Sequence, residues 1–398
     1  MNKTLFDQNV EDLFVSQKRI IENKNKLLLI QKDPFSIYEN PVISHEHIPI
    51  HWRYDLNQQT NPWLQEKIIF NSSLIVGAFR LNNKYYIISK LEGKNTNTLY
   101  ALAESDTGID NWRYLDSPID FGIDEIYKES ENDVKVVLHE NGYIYCLFNS
   151  PIRDDIGRIK STTFILSRSK DLISWERLNE TNIRTKDPLE CIIHPKYINN
   201  QYCFFSQNLN DWKPKTKDFN YNTIDKEILQ NGDIRKIIRN NNNNLKKDKN
   251  YSPVIAPIET SRGWLHLNSK TEKTLKGYCQ IVEFYLTSID KPWEISSTSV
   301  KFKVVIPNRE EDLNYGQIIS SINWILDEDE RIIIYFSTSN SSVYAMRTEK
   351  SKILNNIISI KNLTNPYITL SNKNSMIKDN IEILYRRFPH LLENINCI

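Results

Sequence analysis

The chain has 398 residues, 39% of them hydrophobic, and its 20 Tyr, 15 Phe and 8 Trp can bury a large core in one or two domains. Lysine and arginine (51) balance aspartate and glutamate (50), so a net charge near +1 gives no global field for nucleic acid or an anionic membrane. Five scattered cysteines (Cys146, Cys191, Cys203, Cys279, Cys397) form no paired motif and read as reduced thiols. The opening residues lack a secretory pattern and no run reaches the ~20 apolar residues of a membrane span, so a soluble cytoplasmic protein is expected.

In chain order, residues 5–31 come first. Phe6, Val10, Leu13, Phe14, Ile20, Ile21, Leu27 and Leu28 recur at helical spacing, which predicts an N-terminal helical extension over 1–35. From about residue 66 the pattern changes to short β-branched and aromatic runs behind turn signals. "NNKYYIISKLEG" (82–93), "ENGYIYCLFNSP" (140–151), "INNQYCFFSQN" (198–208), "SRGWLHLNSK" (261–270) and "EDERIIIYFSTSN" (328–340) share one form, a polar turn and then a strand. Two further segments repeat one another, "AESDTGIDNW" (103–112) and "SRSKDLISW" (167–175), and "SIDKPWEI" (288–295) echoes them. Units at this spacing match four-stranded blades. They predict an all-β, five-bladed propeller over 36–350, with Trp112 and Trp175 packing between neighbouring sheets. The polar run at 240–250 reads as an exposed loop. Residues 351–398 read as a C-terminal extension with a helix.

Few motifs carry chemistry by themselves. His45, His47 and His51 lie close enough in sequence for zinc, but a metal needs fixed geometry as well. His194 and His266 sit on strand patterns, where core histidines are common. There is no glycine-rich phosphate loop and no Ser/His/Asp set.

"ENPVISHEHIP", "WRYDLNQQTNPWLQEKI", "KYYIISKLEG", "ALAESDTGIDNWRYLDSPI", "KDLISWERL", "IIHPKYINNQY", "APIETSRGWLHL" and "DKPWEI" occur in that order. Together they resemble the mannosyl-glucose phosphorylases of glycoside hydrolase family 130, from about residue 30 to about 350. The resemblance implies a five-bladed propeller whose active site opens at the mouth of the central channel. It implies inverting cleavage of β-mannosides by inorganic phosphate, with one Asp as general acid. It also makes the histidine-rich stretch an entry loop without metal, so no metal is expected.

Inverting cleavage needs an acid on the leaving oxygen and a nucleophile on the opposite face. A phosphate nucleophile needs a cationic fork instead of a protein base. The resemblance puts Asp133, in "ENDVKVV", on the family's catalytic Asp, and Lys135 where the family has Arg. Gln207 replaces the Arg of a Thr-Arg-Pro stretch. His266 is kept, while Ser269 replaces a second His. Asn250 replaces a Lys, Lys90 an Arg, Ile75 an Asn and Asn314 an Asp. Tyr54, Asp55, Glu92 and Asp106 match motifs near the channel mouth and are candidates to position sugar. Tyr54 and Asp55 read equally as scaffold.

Each lost charge-assisted bond is worth roughly 1.5 to 3 kcal/mol, so two or three losses weaken phosphate binding by roughly two to six powers of ten. Phosphorolysis then needs Lys90, Lys135 or Lys270 to rebuild the pocket. Hydrolysis needs a carboxylate base, for which Glu190 is the candidate. The expected function is a diverged β-mannoside phosphorylase-like glycosidase, cleaving a mannosyl-glucose-type oligosaccharide with inversion. It would use no cofactor, only inorganic phosphate as co-substrate in the phosphorolytic case. The expected partner is a small oligosaccharide, without nucleic acid or membrane, and a homo-oligomer is compatible with the resemblance. The alternative is a non-catalytic propeller that binds carbohydrate or a protein partner, which would form no product from such a sugar.

Overall fold

The structure is a computed structural model. It describes residues 4–29, 34–93, 98–121, 133–154, 156, 159–178, 189–208, 221–225, 255–274, 277–292, 295–299, 302–304, 319–338, 342–359, 378, 380–383 and 386–387. Helix α1 (Leu5–Glu22) opens on a capping box: the Thr4 hydroxyl accepts the Asp7 N–H at 3.2 Å, and the Asp7 carboxylate accepts the Thr4 N–H at 2.9 Å. The helix stops at Asn23. Leu27 and Leu28, which have helical spacing, instead belong to strand β1 (Leu27–Leu29), paired with β2 (Ser36–Tyr38). Pairing with β2, which is itself held on the distant strand β21 (Val343–Glu349), overrides the local pattern here. A 3-10 turn (His45–His47) and the short α2 (Ile50–Arg53) lead into the body.

Among the described residues the remaining strands fall into five antiparallel sheets. The first is the meander β3 (Phe70–Leu81), β4 (Lys84–Gly93), β5 (Thr98–Ser105), β6 (Arg113–Tyr114). The second is β7 (Asp133–Leu138), β8 (Ile144–Arg153), β9 (Ile159–Ser169), β10 (Glu176–Leu178). The third holds β11 (Leu189–Ile193), β12 (Gln201–Asn208) and β13 (Tyr221–Asp225). The fourth runs β14 (Ile258–Thr260), β15 (Gly263–Thr274), β16 (Gly277–Thr287), β17 (Ile295–Ser299), with β18 (Phe302–Lys303) also on β16. The fifth runs β19 (Ile319–Leu326), β20 (Arg331–Thr338), β21 (Val343–Glu349), and β2 pairs with β21. Helix α3 (Lys350–Asn355) follows.

The five turn–strand units are the second strands β4, β8, β12, β15 and β20, each with the hairpin turn before it. Asn82–Asn83 and Asn199–Asn200 hold positive φ at both turn positions, which asparagine tolerates and a tight hairpin requires. Each sheet therefore has a hairpin end, where its first strand turns into its second, and an open end, where its first strand begins.

Neighbouring sheets pack face to face at matching heights. Phe79, Ile88 and Leu102 of the first meet Val134, Val136 and Phe148 of the second. The Tyr145 and Tyr202 hydroxyls join the second and third sheets at 3.0 Å. Cys203 meets Trp264 between the third and fourth. Leu267 and Phe284 meet Trp324 and Phe336 between the fourth and fifth. Ile333 and Tyr335 meet Ile87 and Trp112, which brings the fifth sheet back onto the first. This is an all-β propeller. Its first strands run very close together: a Cβ on Gly77 of β3 would lie 2.3 Å from Val136 Cβ of β7.

The repeated Trp segments are the turns between third and fourth strands. Trp112 is 1% exposed and packs edge-on against Tyr335 at 5.9 Å. Trp175 packs edge-on against Phe121 at 4.6 Å. The tryptophan of the third echo, Trp293, lies outside the described residues, as does the 240–250 run. Among the described residues no helix is long and apolar enough to cross a membrane. Residues 358–398 form a separate compact unit; its described helical residues include Glu382 and Arg386, paired at 2.6 Å.

Candidate active site

The repeat gives the site its coordinates. Lys90, Asn149, Gln207, Ser269 and Ser337 occupy the same step of the five second strands, six residues beyond Lys84, Tyr143, Gln201, Gly263 and Arg331. Across the ladder, Lys90 faces Leu74, Asn149 faces Asp133, Gln207 faces Glu190 and Ser337 faces Ser321. Asp133 and Glu190 thus hold the same position on the first strands of consecutive sheets, near the open end. Lys135 lies two steps further in. The side chains of Asp133, Glu190, Gln207 and Lys270, and all of Asn250 and Asn314, lie outside the described residues.

At this end of the first sheet Lys90 and Glu92 form an ion pair. Lys90 Nζ lies 2.8 Å from Glu92 Oε1, with the lysine side chain 12% exposed and the glutamate 40%. The Ser72 hydroxyl, on the facing strand, donates to Glu92 Oε2 at 3.1 Å. Burial pushes the Glu92 carboxyl up, but the Lys90 ammonium and the Ser72 hydroxyl outweigh it and hold the group below the usual glutamate range. Glu92 is therefore an anion at neutral pH, and part of the Lys90 charge is already matched inside the protein.

One step from Lys90 in register, the neighbouring seam is closed differently. The Ser337 hydroxyl accepts the Ile75 N–H at 2.9 Å. Strand β3 has a register shift between Ile75 and Gly77, and the serine satisfies an amide at that irregularity. Ile75 is 2% exposed and part of the core.

Several sequence candidates do not join this group. Asp106 follows Ser105, whose ladder partner is Tyr85 at the hairpin end, whereas Glu92 faces Thr98 at the open end. At roughly 3.3 Å per residue the length of the strand separates Asp106 from Glu92, so the two cannot share one channel mouth. His266 is 1% exposed and its Nε2 lies 3.0 Å from the Thr287 hydroxyl. Burial, then the neighbouring His194, keeps that imidazole far below its ordinary range, so it is a neutral core side chain rather than an anion holder. Asp55 organises its own loop, accepting the Asn57 N–H at 3.0 Å and the Thr60 hydroxyl at 2.5 Å. Those two bonds hold its carboxyl below the usual range. Tyr54 bridges Glu66 in the strand pattern and lies under the Arg53 guanidinium. Both act as scaffold.

The histidine-rich stretch also has local duties. His51 Nε2 donates to the Asp116 carbonyl at 3.0 Å, and His47 Nδ1 accepts the Ser44 N–H at 3.1 Å. Among the described residues no group of three His, Cys, Asp or Glu side chains could hold a metal ion.

Ser72, Ser321 and Ser337 went unnoticed in the sequence. Aligning the five units by their turns would have found Ser337 at the step of Lys90, Gln207 and Ser269, and Ser321 at the step of Asp133.

The all-β propeller fold is shared with sugar-cleaving enzymes of known structure. The β-1,2-mannobiose phosphorylase from Listeria innocua, solved with β-1,2-mannobiose, superimposes with a TM-score of 0.51 at 14% identity, over 81% of this chain and 98% of that one. A glycosyl hydrolase from Bacteroides ovatus gives 0.52 at 14% identity, over 83% and 97%. More particularly, a 4-O-β-D-mannosyl-D-glucose phosphorylase of Bacteroides fragilis is 27% identical over 348 residues, 86% of this chain and 89% of that protein. No family model matches the chain. The resemblance to the mannosyl-glucose phosphorylases of family 130 thus extends over most of the chain.

Proposed function

We propose that the protein cleaves a β-mannoside of the mannosyl-glucose type with inversion, as a diverged member of the phosphorylase family it resembles. In this reading the five sheets are five blades around one channel, and the open ends form its mouth. Asp133, protonated, gives its proton to the glycosidic oxygen as that oxygen leaves C1. The incoming oxygen bonds C1 from the opposite face, so a β-mannoside yields an α product. The observation that carries the reading is the shared step. Lys90, Gln207 and Ser269 lie the same number of residues beyond their hairpin turns, and Asp133 and Glu190 face that step across the ladder, in four consecutive sheets.

Phosphate is the nucleophile in the first form of the reading, with Lys90, Lys135 and Lys270 as the available cations. A hydrolytic form is favoured by one specific observation. Glu190 occupies the step of Asp133 in the next sheet, facing Gln207 where the family has a cation. There it would take a proton from water.

The test is incubation with 4-O-β-mannosyl-glucose with and without inorganic phosphate. Mannose 1-phosphate formed only with phosphate supports phosphorolysis. Free mannose formed equally in both supports hydrolysis, and Glu190→Gln should then abolish it. If neither product forms, the protein is not this enzyme and the binding-propeller alternative stands.

A further inference from the structure

A cavity of about 360 Å³ lies at the other end of the first sheet, between the last turns of α1, the loop 40–47 and the turn 109–112. That volume lies at the lower end of small-ligand sites. Its walls are fixed from several sides. Gln17 Nε2 donates to the Glu46 carbonyl at 3.1 Å and the Ile48 carbonyl at 2.6 Å, tying α1 to the loop. The Asn25 N–H donates to Asp110 Oδ1 at 2.8 Å, while the Asn25 amide exchanges two hydrogen bonds with the Asn40 backbone, at 2.7 and 3.0 Å. A guest would meet a preformed site and lose little in ordering it.

One lining group points to a guest. His47 is 7% exposed and lines the cavity. Its Nδ1 receives the Ser44 backbone N–H at 3.1 Å. A backbone N–H can only donate, so Nδ1 is the acceptor and the ring proton sits on Nε2. That Nε2–H has no hydrogen-bond partner among the described residues, so it can donate to water or to a guest in the cavity. Arg19, Ser16 and Asn23 add donors, and Glu46 and Asp110 add acceptors. The floor is apolar, with Ile20, Val42, Ile109 and Trp112.

The mixture selects a chemical class. The wall carries two carboxylates, Glu46 and Asp110, against one guanidinium, Arg19, a mixture that suits a neutral guest better than an anion. Hydroxyl groups both donate and accept, so they satisfy amide, imidazole and carboxylate together. An apolar floor suits the C–H face of a sugar ring. We propose that this cavity is a second binding site, for a neutral monosaccharide-sized polyol, separate from the open ends where cleavage is placed. It does not depend on the chain being an enzyme.

The experiment uses the full chain carrying Asp133→Asn, so that no sugar turns over. D-glucose and D-mannose are titrated calorimetrically, and backbone hydrogen exchange is followed with and without sugar. Protection of residues 16–25 and 40–47 by either sugar is expected. Ser16 is exposed on α1, so Ser16→Trp should fold, judged by its melting curve, while filling the rim. It should weaken the cavity binding by at least about tenfold, the effect of one or two lost hydrogen bonds. In the otherwise unaltered chain, Ser16→Trp should leave any cleavage of mannosyl-glucose unchanged. The proposal fails if neither sugar protects those segments, if Ser16→Trp protects them equally, or if sodium phosphate protects them and the sugars do not. A chain that forms no product from mannosyl-glucose but shows the protection would overturn the proposed activity and leave this site standing.

Discussion

The two ends of the sheets use the same repeat for opposite purposes. In the Trp-bearing turns at the hairpin end the polar atoms are spent on the fold. The Ser105 hydroxyl accepts the Thr107 and Gly108 N–H groups at 3.1 and 3.0 Å and donates to the Asp110 carbonyl at 2.6 Å. In the equivalent turn of the second sheet, Asp171 Oδ1 collects the Ile173 and Ser174 N–H groups at 2.9 and 2.7 Å. Both arrangements hold a tryptophan against the next layer. At the open end the same strand step carries Lys, Asn, Gln, Ser and Ser, with Asp133 and Glu190 among their partners. Repeated turn residues mark the end that builds the ring, and variable polar residues mark the end where cleavage is proposed.

That contrast predicts which changes affect activity and which affect stability. The largest effect should come from Asp133→Asn. If the mannoside is cleaved, the rate should fall by about 10² to 10⁴, the usual worth of a general acid, with the urea midpoint unchanged. A variant that unfolds early instead would break the division between the ends. At the hairpin end, Trp112→Ala should destabilise by about 3–5 kcal/mol in urea unfolding, as for other large buried aromatics. Activity at full folding should stay as it was. Trp175 is less buried, and its truncation should be milder.

Acid should find the same end. Burial pushes the His47 imidazole down to about 4 and that of His194 to about 3, and His266 well below its ordinary range. The unfolded chain binds protons near pH 6.5 while the folded chain does not. Stability is therefore complete above pH 6.5 and declines as pH falls toward 4 and then 3. The His47 share alone is about 3 kcal/mol by linkage. Unfolding free energies that stay flat between pH 6.5 and 4 would show that these rings are protonated in place.

Smaller effects sharpen the boundary. Ser337→Ala leaves the Ile75 N–H buried without its acceptor and should destabilise by about 1–3 kcal/mol, although it lies at the open end. The smallest effect is reserved for Asp106→Ala, which should alter neither the melting curve nor the turnover of any substrate. A loss of sugar affinity there would bring the hairpin end into the site after all.

What could be read in the sequence divides along the same line. Turns and second strands were legible because their signals are local: paired asparagines with positive φ, alternating apolar residues, a serine and a tryptophan bracketing a tight turn. The charged end was reachable only through resemblance, because nothing local marks Asp133 as different from a turn residue. Asp106 lies at the other end of the strand from Glu92, and His266 is buried in the core, because a motif fixes position along the chain and neither height on the strand nor depth. Counting residues from each turn would have separated them. Leu27 and Leu28 were misread because their strand pairs with β2, which is anchored on strand β21 roughly three hundred residues away, beyond any window of periodicity.

Those partners bear on how the chain is made. The only sheet that β1 and β2 can complete has its other strands at residues 319–349, with Ile37 beside Met346 and Ser36 beside Arg347. A nascent chain on the ribosome carries this two-stranded pair without its β21 neighbour until almost everything after it has emerged. Closing so long a loop comes late and slowly. Until it happens, the facing edges of β2 and β21 present bare backbone groups, so a cut between β2 and β3 would leave a molecule primed to pair with its neighbours.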